Sequence, residues 1–212
     1  MNIMVDLVDS KYNGLCKLSY GNLSFDIHEH LPTLYKYAKE CETVFETGVR
    51  GCVSSWALTK GLLENGKESR SLFMNDISPC NITELLNATK DLPIKMDYKW
   101  MNNLQLDLPY RVDMTFIDTW HVYGQLKREL ERFSKVTNKY IAMHDTTVDE
   151  IYGETIRCGL NAHQQSKESG FPVEEIKCGL QKAIDEFLAA HPEWILDARY
   201  TNNNGLTILR RV

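Results

Sequence analysis

The chain has 212 residues, of which 43% are hydrophobic and 25% are charged, and its formal net charge at pH 7 is −5. This length fits one domain, and this composition excludes a disordered chain, a collagen-like chain and a coiled coil. The negative net charge argues against general nucleic-acid binding, and without a run of about 18 apolar residues no membrane span is expected.

The N-terminal segment and the cysteines indicate the compartment. The N-terminus has an acidic residue at Asp6 and lacks the apolar stretch of a secretory signal, so we expect no signal peptide. The six cysteines form no CxxC pair, a distribution that predicts free thiols in a reducing environment and no disulfide framework or zinc site. The sequence therefore predicts a cytoplasmic protein.

The first half of the chain alternates amphipathic stretches with short apolar runs. Apolar residues at positions 31, 34, 35 and 38 have the spacing of a helix face, and Pro32 suits the first turn of that helix. Asn81 and Glu84 have the offset of a capping box at a helix start. The predicted elements are, in order, a helix over 31–41, a strand over 43–45, a helix over 54–64, a strand over 71–74, a helix beginning near residue 81 and a strand over 94–96.

The second half continues this alternation and then changes. Strands are predicted over 113–118 and 139–143, with a helix over 125–133 between them. A helix over 174–190 leads to two strand-like runs separated by Asn204-Gly205, which is a strong hairpin signal. Alternating strands and helices favour a mostly parallel sheet covered on both faces. The chain is therefore predicted to be an α/β protein whose sheet ends in an antiparallel hairpin.

Polar residues collect where the predicted strands end. In a parallel α/β sheet, ligands bind beyond the carboxyl ends of the strands. The first strand ends in a turn with Gly48 and Gly51, which permits close approach of a ligand to the backbone at a helix N-terminus. The second strand ends in Asp76, a candidate partner for a pair of ribose hydroxyls. The fourth and fifth strands are followed by four residues with catalytic or metal-binding chemistry, namely Asp118, His121, His144 and Asp145.

Each of these residues also has a structural interpretation. A turn with two glycines is common after a strand, and Asp76 is able to cap the next helix. Asp118 and Asp145 suit the N-cap positions that strand-to-helix loops require, and His121 suits an ordinary hydrogen-bonded loop. The joint occurrence of acids and histidines at several strand ends favours a ligand site over these separate structural roles.

The segment Val44–Leu58, VFETGVRGCVSSWAL, resembles the first motif of class I S-adenosylmethionine-dependent methyltransferases, an acidic residue followed by a glycine-rich loop. A dinucleotide-binding turn would have the pattern GxGxxG and an acid about 20 residues later, whereas Asp76 lies 28 residues (76 − 48) after Gly48. The resemblance implies a Rossmann-like, doubly wound, mostly parallel sheet of seven strands that ends in an antiparallel hairpin. With S-adenosylmethionine as cofactor, it assigns cofactor binding to Glu46, Thr47, Gly48, Gly51, Ser54, Asp76 and Asp118.

The segment Phe116–Thr147 is similar to a narrower branch, the metal-dependent O-methyltransferases of sugars, which is grouped with the cephalosporin hydroxylase-like and macrolide-sugar methyltransferases. This resemblance implies Asp118 and Asp145 as catalytic metal ligands and His121 as the general base, with Mg²⁺ or Mn²⁺ as the metal. His144 stands where the branch usually has Glu, and as a third ligand it would shift the preference towards Mn²⁺, iron or Zn²⁺.

The leading hypothesis is a metal-assisted O-methyltransferase that acts on a hydroxyl of a small molecule or glycan, with a sugar favoured. Three alternatives stay open: a metal-independent methyltransferase of the same fold, a hydroxylase with a facial triad of two carboxylates and one histidine, and a non-catalytic interaction domain that retained the fold. We expect one domain over residues 1–212, with a lid segment over 1–41 and a cofactor-binding core over 42–212. No membrane partner is expected, and a homo-oligomer is compatible with the sequence.

Overall fold

The computed structural model describes residues 3–17 and 26–212, which form two compact units, Met1–Ile117 and Asp118–Val212. Within the described ranges, every helix is too short or too polar to cross a bilayer. Residues 1–2 and 18–25 of the predicted lid segment lie outside the described residues.

The first unit alternates helices and strands, as the sequence predicts. Two short 3-10 turns, His28–His30 and Asn103–Gln105, interrupt this alternation. The predicted strand over 94–96 is longer in the structure. The elements are α1 (Ile3–Cys16), α2 (Leu31–Ala38), β1 (Thr43–Thr47), α3 (Val53–Leu63), β2 (Ser71–Asp76), α4 (Thr83–Thr89), β3 (Lys95–Trp100) and β4 (Val112–Ile117).

The N-terminal helix α1 is an element that the sequence analysis did not predict. It buries Val8, Tyr12 and Leu15, whose spacing places them on one helix face. Ion pairs fix the helix on both sides: Lys60 Nζ lies 2.5 Å from Asp9 Oδ1, and Lys11 Nζ lies 2.8 Å from a carboxylate oxygen of Glu84. These contacts come from α3 and α4, so the helix depends on tertiary partners that are distant in sequence.

The predicted capping box at α4 is wrong. The helix begins at Thr83 with Ile82 as its N-cap, and no side chain caps it. Asn81 instead accepts a hydrogen bond from the Thr83 N–H at 3.1 Å through its side chain, which forms a local turn before the helix. Glu84 pairs with Lys11 on α1 and is therefore held away from the position that a capping box requires.

The strands of the first unit pair in parallel, β1 with β2 and β4, and β2 with β3. Thr47 at the end of β1 is in register with Asn75 of β2 and Ile117 of β4. The carboxyl ends of three strands therefore lie side by side, and the residues that follow them share one edge of the sheet.

The second unit contains short helices and an antiparallel set of strands. Strand β7 pairs antiparallel with both β5 and β6, and the hairpin predicted at Asn204-Gly205 joins β6 to β7. The seven strands have the order β3-β2-β1-β4-β5-β7-β6, which confirms the predicted mostly parallel α/β sheet with an antiparallel end. The elements are α5 (Tyr123–Phe133), β5 (Thr137–His144), α6 (Glu154–Arg157), α7 (Ala162–Ser169), α8 (Val173–Lys177), α9 (Leu180–Ala190), β6 (Trp194–Tyr200) and β7 (Leu206–Arg211).

The predicted single helix over 174–190 is wrong, because the chain is extended at Cys178-Gly179 and two helices, α8 and α9, take its place. Gly179 donates its N–H to the Ile151 carbonyl at 2.9 Å, and Leu180 donates to the Asp149 carbonyl at 2.8 Å. A Cβ atom at Gly179 would overlap the carbonyl oxygens of Asp149 and Glu150. The break therefore lets α9 hold the segment that follows β5.

We predict that Gly179→Ala lowers the free energy of unfolding by about 1–3 kcal/mol, because the added methyl group overpacks a closed backbone contact. Gly14→Ala is the matched control, since a Cβ atom there meets nothing within 4 Å and the residue lies inside α1. The control should be neutral or stabilising by up to about 1 kcal/mol. Urea unfolding of both variants measures the difference, and equal stabilities would contradict this account of the break.

Candidate active site

The loop between β1 and α3 has an unusual backbone. Gly48 has a φ of 91°, and two residues with side chains, Arg50 and Cys52, also have positive φ values of 41° and 60°. Non-glycine residues rarely adopt this conformation, and where they do, the surroundings must hold them there. Asp76 holds the part of the loop around Arg50, because its Oδ2 accepts hydrogen bonds from the N–H groups of Val49 at 2.8 Å and Arg50 at 3.0 Å.

Glu46 is fully buried and braces the start of α3. Its two carboxylate oxygens accept hydrogen bonds from the hydroxyls of Ser54 at 2.5 Å and Ser55 at 2.6 Å. Charge-assisted hydrogen bonds of this kind offset the cost of burying a carboxylate. The structure thus brings together Glu46 and Ser54, two of the predicted cofactor-binding residues, and makes their contact part of the loop's support.

Two more residues of the predicted cofactor set, Thr47 and Gly51, occupy the same loop or its base, whereas Asp118 lies beside His121 and His144. Thr47 is buried between the side chains of Asn75 and Asn103, with its hydroxyl 3.1 Å and 2.9 Å from their polar atoms. Gly51 is exposed and a Cβ atom there would only touch Val53 at 3.8 Å, so nothing in the described surroundings requires a glycine at that position.

In the second unit, two imidazoles share the same two carboxylates. His121 Nε2 lies 3.2 Å from Asp118 Oδ1 and 3.1 Å from Asp145 Oδ2. His144 Nδ1 lies 3.5 Å and 3.3 Å from these same two oxygen atoms. Asp145 has a positive φ of 57°, which turns the chain sharply after β5. The structure therefore gathers the four residues predicted after the fourth and fifth strands into one cluster.

The hairpin turn fixes the orientation of the His144 ring. His144 Nε2 lies 3.1 Å from the Asn203 carbonyl oxygen, which accepts a hydrogen bond only if that nitrogen carries a proton. Asn203, Asn204 and Gly205 all have positive φ values, between 45° and 97°. This turn spans 201–205, longer than the two-residue turn that Asn-Gly favours, and it directs His144 Nδ1 towards Asp118 and Asp145.

The sequence analysis missed three residues that surround His121. Arg157 donates two hydrogen bonds to Asp149, from Nε at 2.6 Å and from Nη2 at 2.9 Å. Asp149 Oδ2 and Glu154 Oε2 lie 3.4 Å and 3.7 Å from His121 Nδ1. The sequence contained one signal for Asp149, which is its spacing of four residues from Asp145. In the structure the Asp149 N–H donates to the Asp145 carbonyl at 3.1 Å, as in one helical turn.

The cluster is strongly coupled electrostatically. Burial raises the pKa of Asp118, but the charges of His144 and His121 outweigh it and hold that pKa well below its usual range. Burial lowers the pKa of His144, but the Asp118 carboxylate outweighs this effect and raises it to about 10. Burial likewise disfavours the charged form of His121, and its contacts with Asp118 and Asp149 nevertheless raise its pKa. These carboxylates therefore require nearby positive charge.

The cluster fits a divalent cation. Asp118, His121 and Asp145 each offer a ligand atom, and these atoms lie within 4.8 Å of one another. Asp145 Oδ1 is buried and accepts no hydrogen bond from the described residues, so one carboxylate oxygen lacks a partner. Two carboxylates with imidazole nitrogen suit Mn²⁺, Fe²⁺ or Zn²⁺ better than Mg²⁺, which prefers oxygen ligands only.

Comparison with known proteins supports the fold. No family model and no curated protein matches the chain, but its structure is similar to many solved ones.

An O-methyltransferase from Bacillus cereus, solved with S-adenosylhomocysteine, is 13% identical to this chain with a TM-score of 0.58. The match covers 100% of this chain and 92% of the Bacillus cereus protein. The O-methyltransferase TomG from Streptomyces achromogenes, solved with S-adenosylmethionine, is 12% identical with a TM-score of 0.57, covering 100% and 91%. The N-methyltransferase NodS from Bradyrhizobium japonicum is 13% identical with a TM-score of 0.54, covering 92% and 99%. The chain thus has the Rossmann-like fold of these methyltransferases.

Proposed function

We propose that the chain is an S-adenosylmethionine-dependent O-methyltransferase whose acceptor is a hydroxyl of a small molecule or glycan. The observation that carries this proposal is the cluster of Asp118, His121 and Asp145 at the carboxyl ends of β4 and β5. It occurs in a fold whose solved examples include complexes with S-adenosylmethionine and S-adenosylhomocysteine.

We assign donor binding to the β1–α3 loop and to Asp76. The left-handed Gly48 leaves one side of the loop free of a side chain, so that a ligand can approach the backbone. Asp76 Oδ2 accepts hydrogen bonds from two N–H groups of the loop, whereas Oδ1 accepts one, from Ser78, and retains a lone pair for a ribose hydroxyl. Glu46, Ser54 and Thr47 would support this loop from below. We assign Asp118 to the acceptor chemistry, because it contacts His121 and His144.

The chemistry of the cluster favours oxygen over nitrogen as the methylated atom. Methyl transfer from a sulfonium is a displacement in which donor and acceptor must be held in line. An aliphatic or sugar hydroxyl is a weak acid and needs a base, a cation or both, whereas a neutral amine is already a nucleophile. A buried arrangement of acids and imidazoles supplies what a hydroxyl requires, and vicinal sugar hydroxyls are suited to bind a cation through two oxygens.

We propose that Asp118, Asp145 and His144 hold the cation, whose charge would replace that of the two imidazolium groups and leave His121 neutral to act as the general base. The side chain of His144 is 0% exposed and is fixed by the hairpin turn, as a ligand should be. The side chain of His121 is 15% exposed, so an acceptor is able to reach it. A bound divalent cation lowers the pKa of a coordinated hydroxyl, and a positioned base contributes about 10²–10⁴-fold to the rate.

We predict that the native chain binds S-adenosylhomocysteine with micromolar affinity and does not bind NAD, as measured by isothermal titration calorimetry. Gly48→Val should abolish binding, because the side chain both strains a φ of 91° and fills the loop. Gly66→Val is the matched control, since Gly66 also has a positive φ of 71° but lies in an open turn after α3. Binding of NAD, or unchanged affinity in Gly48→Val, would contradict the proposed donor site.

We predict that Mn²⁺ binds the chelator-treated chain and that Asp145→Asn abolishes the binding heat, because a carboxylate ligand is lost. His121→Gln should keep Mn²⁺ binding but lower methyl transfer to a panel of sugars and polyols at least about 10²-fold. Asp185→Asn, on the exposed face of α9, is the control and should change neither. Loss of Mn²⁺ binding in His121→Gln would instead make His121 a ligand, and full activity in that variant would exclude it as the base.

A further inference from the structure

We propose that Asp149, held by Arg157, is a positioning residue that sets the orientation of the His121 imidazole. This inference rests on the proposed function, in which His121 is the general base. Asp149 would accept a hydrogen bond from the His121 Nδ1–H and so turn Nε2 towards Asp118, Asp145 and the acceptor. Arg157 would fix the carboxylate of Asp149 in the plane that this contact needs.

The contacts of Asp149 support this role. Its side chain is 0% exposed, and the guanidinium of Arg157 binds both of its oxygen atoms in the paired geometry that most restricts a carboxylate. With both oxygens engaged by one planar group, the carboxylate has a single orientation. Its Oδ2 then lies 3.4 Å from His121 Nδ1.

The surroundings of His121 leave Asp149 as the main acceptor for Nδ1. This nitrogen is buried and makes no hydrogen bond of good geometry with the described residues. Asp149 Oδ2 is nearer to it than Glu154 Oε2, at 3.4 Å against 3.7 Å. A buried N–H without an acceptor is costly, and we therefore infer that Nδ1 donates to its nearer acceptor, Asp149 Oδ2.

The backbone around Asp149 is also fixed. Its carbonyl accepts the Leu180 N–H at 2.8 Å at the start of α9, and the backbone of Gly179 packs directly against it. Further along the segment, Gly153 donates its N–H to the Lys177 carbonyl at 2.9 Å. Asp149 is therefore a fixed point against which a partly exposed imidazole is oriented, as the acid of a catalytic triad orients its histidine.

The test is a ¹H NMR experiment on protein labelled with ¹⁵N-histidine and free of metal and donor. The Nδ1 proton of His121, if held by a carboxylate, gives a far-downfield resonance that disappears in His121→Gln. We expect Asp149→Asn to abolish this resonance, because an amide facing Arg157 through its oxygen presents an N–H to the ring. Glu154→Gln is the matched control and should retain the resonance, since it alters the more distant carboxylate.

A second variant covers the case in which Asp149→Asn does not fold. The side chain of Arg157 is 40% exposed, so the Arg157→Lys variant should fold although it loses the two-oxygen contact with Asp149. In this variant the resonance of the His121 Nδ1 proton should broaden and move upfield. An unchanged resonance in both variants, or its loss in Glu154→Gln, would overturn the inference. The affinity of the native chain for S-adenosylhomocysteine distinguishes failure of this inference from failure of the proposed function. If the native chain binds S-adenosylhomocysteine and the resonance does not respond as expected, only the inference about Asp149 fails. If the native chain does not bind S-adenosylhomocysteine, the proposed function fails.

Discussion

Carboxylates that are removed from water need nearby positive charge, and this need determines how the side chains of the second unit are arranged around them. Asp118, Asp145 and Asp149 lie within reach of one another's partners, and an unpaired buried carboxylate is too costly to keep. Two imidazoles and one guanidinium meet this need, and several separate elements hold the network in place. The hairpin turn holds His144, α6 supplies Arg157, and the break between α8 and α9 secures the segment that carries Asp149.

The first unit solves a different problem, which is to hold a strained loop open. Arg50 and Cys52 adopt left-handed backbone conformations that their side chains disfavour. The carboxylate of Asp76 and the contact between Glu46 and Ser54 fix the two ends of this loop. Backbone strain that is maintained by polar contacts clusters at ligand-binding and active sites, and it agrees with a donor-binding role for the loop.

Local patterns in the sequence predicted most strands and the residues that end them, because apolar runs and polar strand ends are read over a few residues. They could not predict the break at Gly179 or the placement of Asp149 beside His121, because these depend on contacts between residues about 30 positions apart. Helix α1 was missed for the same reason, since its ion pairs come from α3 and α4. The family resemblance supplied the proposed roles of Asp118 and His121, whereas the sharing of Asp118 and Asp145 by two imidazoles came only from the structure.

The most direct test of the central proposal is a crystal structure of the native chain with S-adenosylhomocysteine and Mn²⁺, recorded at the manganese absorption edge. We expect anomalous density in contact with the carboxylates of Asp118 and Asp145, and the cofactor product against the loop at Gly48 with its ribose at Asp76. Cofactor bound elsewhere would contradict the donor site. Manganese absent from the cluster, with both imidazoles still paired to the carboxylates, would contradict the metal-assisted mechanism.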